Sequence, residues 1–434
     1  MSYPKEVTLI HRKKFSLVRN IVMAIFTVVL MLAVAVGQAG KEPAVKEKVL
    51  HSFGSGTDGL YPFAAVILDS SGNLWGTTWE GGTGPCNGGC GIAFELTPGS
   101  KGQWTENILY NFQGRPSDAG KPSASLILDA QGNLYGTARY GGPTSCPKAC
   151  GAVFELSQSN GTWTETLLHV FTGGKDGENP YAELIADKSG NLYSTTYGGG
   201  THGKGTVFEL SPSNGTWTKT VLYNFKGSDG NGPLAGLIFD STGNLYGTTG
   251  RGGASDHGVV FELTPSTKGW SETVLYSFAG APADGDEPSA DLIMDGTGNI
   301  YSTTRAGGAG TACRNGCGTV FELISSNGTW TESVLYSFSG KPDGATPFAG
   351  LIFDQSGNLY GTTDTGGEKN DGVIFELTPS NGTWTESTVY SFRGWPRDGA
   401  RSYANLISDG QGGFYGATIF GGANDPGVIF QFTP

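Results

Sequence analysis

Glu183, Asp291 and Asn405 hold the same place in a segment that recurs along the chain, directly before a Leu-Ile pair. Two carboxylates and a carboxamide are oxygen donors, and if that segment lines a common space they could converge on one hard cation such as calcium. The place is taken by Ala65, Ser125, Gly236 and Gly350 in the other copies, so a slot that merely tolerates small residues is the simpler account. A calcium-assisted polysaccharide lyase or hydrolase acting in a central channel through Glu183 and Asp291 therefore stands as the alternative reading. A second set lies just beyond a recurring Thr-Thr: Trp79, Arg139 with Tyr140, Tyr197, Arg251, Arg305, Asp364 and Phe420. Aromatic faces stack on sugar rings and charged side chains bond their hydroxyls, so on one rim these residues would make a glycan platform.

Other candidates have simpler explanations. His202 and His257 fall in adjacent copies, but no nucleophile motif accompanies them, and Asp256 is a chain neighbour of His257 rather than a group placed behind its ring. No catalytic residue is assigned. Asp58, Asp118, Asp176, Asp229, Asp284, Asp343 and Asp398 recur once per copy, mostly before Gly. Calcium would suit carboxylates, but Asp-Gly makes turns, and one aspartate per copy keeps them apart.

The six cysteines form three pairs, Cys86/Cys90, Cys146/Cys150 and Cys313/Cys317, each in a loop longer than its counterparts in the other copies. No further thiolate or imidazole accompanies them as a metal ligand, so local disulfides that pin long loops are expected, together with an oxidising compartment.

The copies that carry these residues share one pattern. An apolar run ends in Asp69, Asp129, Asp187, Asp240, Asp295, Asp354 or Asp409, spaced 53 to 60 residues apart; then come Gly-Asn-Leu-Tyr-Gly-Thr-Thr, Gly-Gly, Val-Phe-Glu-Leu and Trp-Thr-Glu-Thr-Val-Leu-Tyr-Ser-Phe, with variations. Four strand-like runs per unit, joined by Asp-x-x-Gly-Asn and Asn-Gly turns, describe a propeller blade. The first three runs occur seven times. The fourth run of the last unit is missing, and Lys46 to Phe53, whose Val-Leu-His-Ser-Phe matches Val274 to Phe278, stands before any first run. The expected fold is all-β, a seven-bladed propeller over 46–434, closed by the N-terminal strand joining the last blade. Tyr135, Tyr193, Tyr246, Tyr301 and Tyr360 recur at one strand position and are expected to pack between blades. The loops between runs 2 and 3 and between runs 4 and 1 share one face and hold nearly all the variation, as a binding face would.

Lys5, Arg12, Lys13, Lys14 and Arg19 precede an apolar stretch, 21–36, and then Gly37-Gln38-Ala39. Residues 1–39 are read as an export signal cleaved after Ala39, the alternative being an uncleaved membrane anchor; the membrane is engaged only in the second case. Without them the chain has 22 basic and 38 acidic side chains, a surface that repels phosphate backbones, so nucleic acid is not an expected partner.

These units resemble the tandem repeats of bacterial "choice-of-anchor tandem repeat GloVer-containing" proteins, whose motifs match in order over residues 46–434. The resemblance implies an exported bacterial protein and carries no catalytic residues. Such proteins often bear a C-terminal sorting segment, so here any attachment is expected through the N-terminus. The Asp-x-x-Gly-Asn-Leu-Tyr run is also similar to repeats of two-component-sensor propellers, where the module binds rather than reacts. The expected role is an extracytoplasmic, non-catalytic binding or scaffold propeller, a monomer, with a glycan or an envelope protein as partner; a purely structural envelope protein is a further alternative.

Overall fold

A computed structural model describes residues 46–54, 57–142, 146 and 150–434. Segment 1–39, read above as an export signal or anchor, lies outside them. Among the described residues no helix is long and apolar enough to cross a membrane.

Seven antiparallel sheets follow one another along the chain, each with four strands in the order inner, second, third, outer; the second adds a fifth, Ala119–Pro122, beside the end of its second strand. Blade 4 is representative: Ile238–Phe239, Leu245–Thr249, Val259–Ser266 and Gly269–Ser277. In the seventh, Lys46–Ser52 pairs with Val428–Thr433 outside Phe414–Thr418 and Ile407–Ser408, with Lys48 opposite Gln431. The ring is therefore closed by a strand from each end of the chain. The inner strands are shorter than their apolar runs suggest, with two laddered residues each. They have a hydrogen-bonding neighbour on one side only, because the other side faces the axis.

Local chemistry explains the turns. Asn160, Asn214, Asn327 and Asn381 have φ of 49–52° and each is followed by a Gly at positive φ, the conformation of a tight hairpin that Asn-Gly adopts with least strain. At the start of each inner hairpin an aspartate caps its own turn: Asp240 Oδ1 accepts from the backbone N–H of Thr242 and Asn244, and Oδ2 from Asn244 Nδ2.

Every outer strand bears a bulge at one place. Val260 faces Tyr276 and Phe261 faces Val274, which leaves Leu275 as the extra residue; Leu50, Leu109, Leu168, Leu222, Leu335 and Val389 correspond. A bulge re-aims the residues that follow it. Here those residues include the final phenylalanine, which packs edge-on against a phenylalanine in the third strand of the next blade. The seven pairs are Phe53–Phe94, Phe112–Phe154, Phe171–Phe208, Phe225–Phe261, Phe278–Phe321, Phe338–Phe375 and Phe392–Phe430, with centroids 5.0–5.3 Å apart. All fourteen rings are buried. The expected tyrosine layer also bridges blades, with Tyr193 against Trp270 and Tyr301 against Trp384. Backbones approach closely as well: a Cβ on Gly258 would lie 2.5 Å from Pro288 Cδ of the next blade.

Because Phe53 belongs to the closing strand and fills the first blade, Phe53→Ala should cost about 3–5 kcal/mol in urea unfolding, as much as Phe112→Ala at an interior seam. A loss below about 0.5 kcal/mol would mean that the strand is not docked.

Candidate functional site

The inner strands bring the variable slot of each blade to the axis. A cavity of about 110 Å³ there is lined by Ala65, Ser125, Glu183, Gly236, Asp291 and Asn405 among others. Asn405 Nδ2 and the Gly236 backbone N–H both donate to Asp291, and Gly350 N–H donates to Asn405 Oδ1 at 2.6 Å. Glu183, Asp291 and Asn405 thus meet, as a shared cation would require. They meet with one donor already on each Asp291 oxygen and one on the Asn405 carbonyl, so the side chains hold one another and the inner-strand backbone. Burial, together with the neighbouring Asp291, raises Glu183 to about 8, while a bond from Ser125 opposes the shift. Burial also raises Asp291 against its bonds from Asn405 and Gly236. Burial thus favours a proton held by the Glu183–Asp291 pair.

Above this floor the channel opens on the face that carries the variable loops. Two residues before each slot, on the same side of the strand, stand Phe63, Ser123, Tyr181, Leu234, Ser289, Phe348 and Tyr403, all lining the cavity. Phe63 lies 5.7 Å from Tyr403, and Tyr403 lies 4.4 Å from Phe348. The sequence reading missed this inner aromatic ring, although its signal, one residue after Pro62, Pro180 and Pro347, recurs in register with the slot.

The residues expected on the rim form a second ring around the first. Trp79 contacts Phe63 at 5.5 Å and Tyr140 at 6.2 Å, and the Arg139 guanidinium sits over Trp79, Tyr140 and Tyr181 at 4.9–5.6 Å. Tyr197 is 44% exposed and packs on Tyr181 at 5.8 Å. It shares a side cavity of about 150 Å³ with Arg251, Glu287, Arg305 and Phe348. Arg305 pairs with Glu287 at 2.8 Å and covers the Phe348 ring at 4.8 Å. Two members sit differently. Asp364 is buried beside Arg401, its pKa raised by burial against the pull of Arg401 and Arg305. Phe420 packs on Tyr61 rather than on the inner ring.

A backbone device fixes both rings. The residue immediately before each Pro (Ser402 in blade 7) is left-handed, with φ of 56–66° at Tyr61, Lys121, Asn179, Gly232, Glu287, Thr346 and Arg401. Six of these are not glycine, and a left-handed residue at that place carries strain, a feature that gathers at functional sites. The surroundings hold it. Thr346 N–H donates to the Cys317 carbonyl at 2.7 Å, and the Thr346 carbonyl accepts from Asp364 N–H at 3.1 Å; Lys121 and Asn179 donate likewise to Cys90 and Cys150.

The Gloeobacter/Verrucomicrobia repeat matches residues 41–238 and 216–430. The chain belongs to this repeat family. Among solved structures, the extracellular domain of a protein described as a hybrid two-component system from B. thetaiotaomicron resembles it with a TM-score of 0.55 at 9% identity, over 89% of this chain and 40% of that one. A Dyadobacter fermentans protein of unknown function matches over 90% of this chain and 98% of that one, at 12% identity and a TM-score of 0.46. Likeness at such identities speaks to fold alone. No curated protein matches the sequence significantly.

In this Gloeobacter/Verrucomicrobia repeat propeller the three cysteine pairs are disulfides, Cys86–Cys90, Cys146–Cys150 and Cys313–Cys317. They clip the loops whose carbonyls support the next blade's left-handed residue. The Asp58-type aspartates are turn acceptors, as expected: Asp284 takes Ala279 N–H at 2.7 Å and Gly285 N–H at 2.6 Å. They also face the next blade, which the sequence reading missed. Asp284 accepts the Tyr276 hydroxyl at 3.0 Å, and beside it lies Glu332 of the following outer strand. Tyr110–Asp118–Glu165, Tyr223–Asp229–Glu272, Tyr336–Asp343–Glu386 and Tyr390–Asp398–Glu47 repeat the arrangement. Burial, then the facing aspartate, lifts Glu165 to about 9 and Glu47, Glu272, Glu332 and Glu386 to about 7.

The channel acid has a measurable sign. A carboxyl held protonated to about pH 8 in the fold, but ionised near 4.5 when unfolded, contributes stability that is complete below pH 4.5 and lost as pH rises through 8. Glu183→Gln keeps the uncharged form, so its melting temperature relative to wild type should climb steadily between pH 5 and pH 8.5. A difference that does not change with pH would contradict the protonated pair.

Proposed function

We propose that the chain is a non-catalytic binding propeller that works outside the cytoplasm and holds a glycan across the mouth of its channel. The observation that carries this reading is the pair of concentric rings, with aromatics at four of seven places within and aromatics plus guanidinium groups without, gathered at one opening. Sugar rings stack on aromatic faces, while Arg251, Arg305 and Glu287 offer charged partners for hydroxyls around one depression. The opposite face repeats near-identical turns and offers little to recognise asymmetrically. Three disulfides fit an oxidising compartment, in keeping with an exported protein.

One observation favours a second reading, a lyase or hydrolase: Glu183 and Asp291 stand side by side in the channel, where burial favours a proton on the pair, as an acid poised next to a carboxylate would require. Binding and turnover on a panel of neutral and acidic polysaccharides separate the two. The binding reading expects capture without turnover. Replacing Trp79 and Tyr197 together by Ala should then weaken binding by about 2 kcal/mol or more with the fold intact, whereas changes at the Asn160, Asn214, Asn327 and Asn381 turns should not matter. Cleavage by the wild type that is lost in Glu183→Gln would establish the enzyme instead, and unaltered binding in the double variant would move the site elsewhere.

A further inference from the structure

The seam closed by the N-terminal strand departs from the Tyr–Asp–Glu arrangement. His51 stands where five seams have tyrosine, and it meets Asp58 and Glu106. His51 Nε2 lies 3.8 Å from Asp58 Oδ1 and 3.8 Å from Glu106 Oε1, and the three atoms all fall within 4.8 Å of one another. They come from three pieces of chain: the closing strand, the loop after it and the outer strand of blade 1. His51 Nε2 and Glu106 Oε1 are shut off from solvent and have no hydrogen-bond partner among the described residues. Asp58 is held in place by the backbone N–H groups of Gly54 and Gly59 at 2.7 and 2.8 Å.

One other seam carries a histidine, and it makes the contrast. There His169 faces Asp176, and Lys219 replaces the glutamate, its Nζ 2.9 Å from Asp176 Oδ1. That seam brings its own cation; the closing seam has a second carboxylate in the same place. We propose that His51, Asp58 and Glu106 bind one divalent transition-metal ion of the zinc class, which pins the closing strand to blade 1. An imidazole nitrogen with two carboxylate oxygens suits zinc better than calcium or magnesium, and three protein ligands leave a position for water. Donors in a tetrahedral site with bonds of about 2.0–2.2 Å stand roughly 3.3–3.6 Å apart, so the two His51 contacts need to close by only a few tenths of an ångström and the two carboxylates, within 4.8 Å of each other, by about 1 Å. The three donors assemble only when the ring is shut, so metal binding and closure are linked.

The test uses the untagged chain, stripped with chelator and then dialysed against Zn2+. One zinc per chain should be retained, and zinc in hundredfold excess over its dissociation constant should raise the melting temperature by about 4 °C, while calcium should not. His51→Tyr recreates the arrangement of the five tyrosine seams and so keeps the fold; it should weaken zinc binding at least tenfold and remove the thermal shift, as should Glu106→Gln. Failure to retain zinc would overturn the proposal, the histidine then serving only as an ion-pair partner. Equal retention by wild type and both variants would overturn it too, placing the metal elsewhere.

Discussion

The phenylalanine that ends each outer strand cannot be buried by its own blade. It reaches its partner in the next blade, and the bulge one turn of the pleat earlier is what aims it there. Each blade is therefore half a core, and an open array would leave one ring uncovered at one end and one slot empty at the other. Phe53 and Phe94 remove that defect because the chain's first strand is the last blade's outer strand. Closure in turn sets the curvature that gathers seven inner strands around one axis.

The chemistry of the site follows from that gathering. A single blade offers one slot residue, one residue after Pro and one residue after Thr-Thr, none of which could make a site alone. Seven of each, brought within reach, make a channel floor with Glu183, Asp291 and Asn405 and a mouth in which Arg139 lies among three aromatic rings. The strained residue before each Pro gives this arrangement its stiffness: its N–H and C=O are both spent on neighbouring loops, in three blades on a carbonyl next to a disulfide sulfur. Repetition supplies the frame, and substitution within fixed places supplies the asymmetry. The outer seams show the same logic: His51 adds an imidazole to a carboxyl pair, and His169 with Lys219 leaves Asp176 between two basic side chains.

Much of the fold was legible because the motifs are local. Asn-Gly turns, the Asp-capped hairpins and the count of strand-like runs led to seven blades and to the closing strand, and loop length led to the three disulfides. The rim was legible in part, since Trp79, Arg139, Tyr197 and Arg305 surround the opening, but the burial of Asp364 and the turn of Phe420 toward Tyr61 depend on contacts with the next blade. The inner ring was passed over because Phe63, Tyr181, Phe348 and Tyr403 precede the laddered residues of their strands, and the same place holds Ser123, Leu234 and Ser289 in the other blades, so the recurrence does not read as aromatic. The bulge left a trace, the consecutive apolar pair in Val-Leu-Tyr, but its effect is to pair residues a whole blade apart. The seam carboxyls were hidden for the same reason: Asp284 serves its own turn locally, and Glu332 is about fifty residues away.

Covalent trapping of the closing pair tests the ring most directly. Lys48→Cys with Gln431→Cys places two thiols on directly opposed residues of an antiparallel pair, within reach of a disulfide. On mild oxidation the account predicts one added disulfide inside a monomer, with peptides 48 and 431 joined in the mass spectrum and a higher melting temperature. Free thiols at both positions, or linkage only between separate chains, would contradict a ring shut by its own first strand.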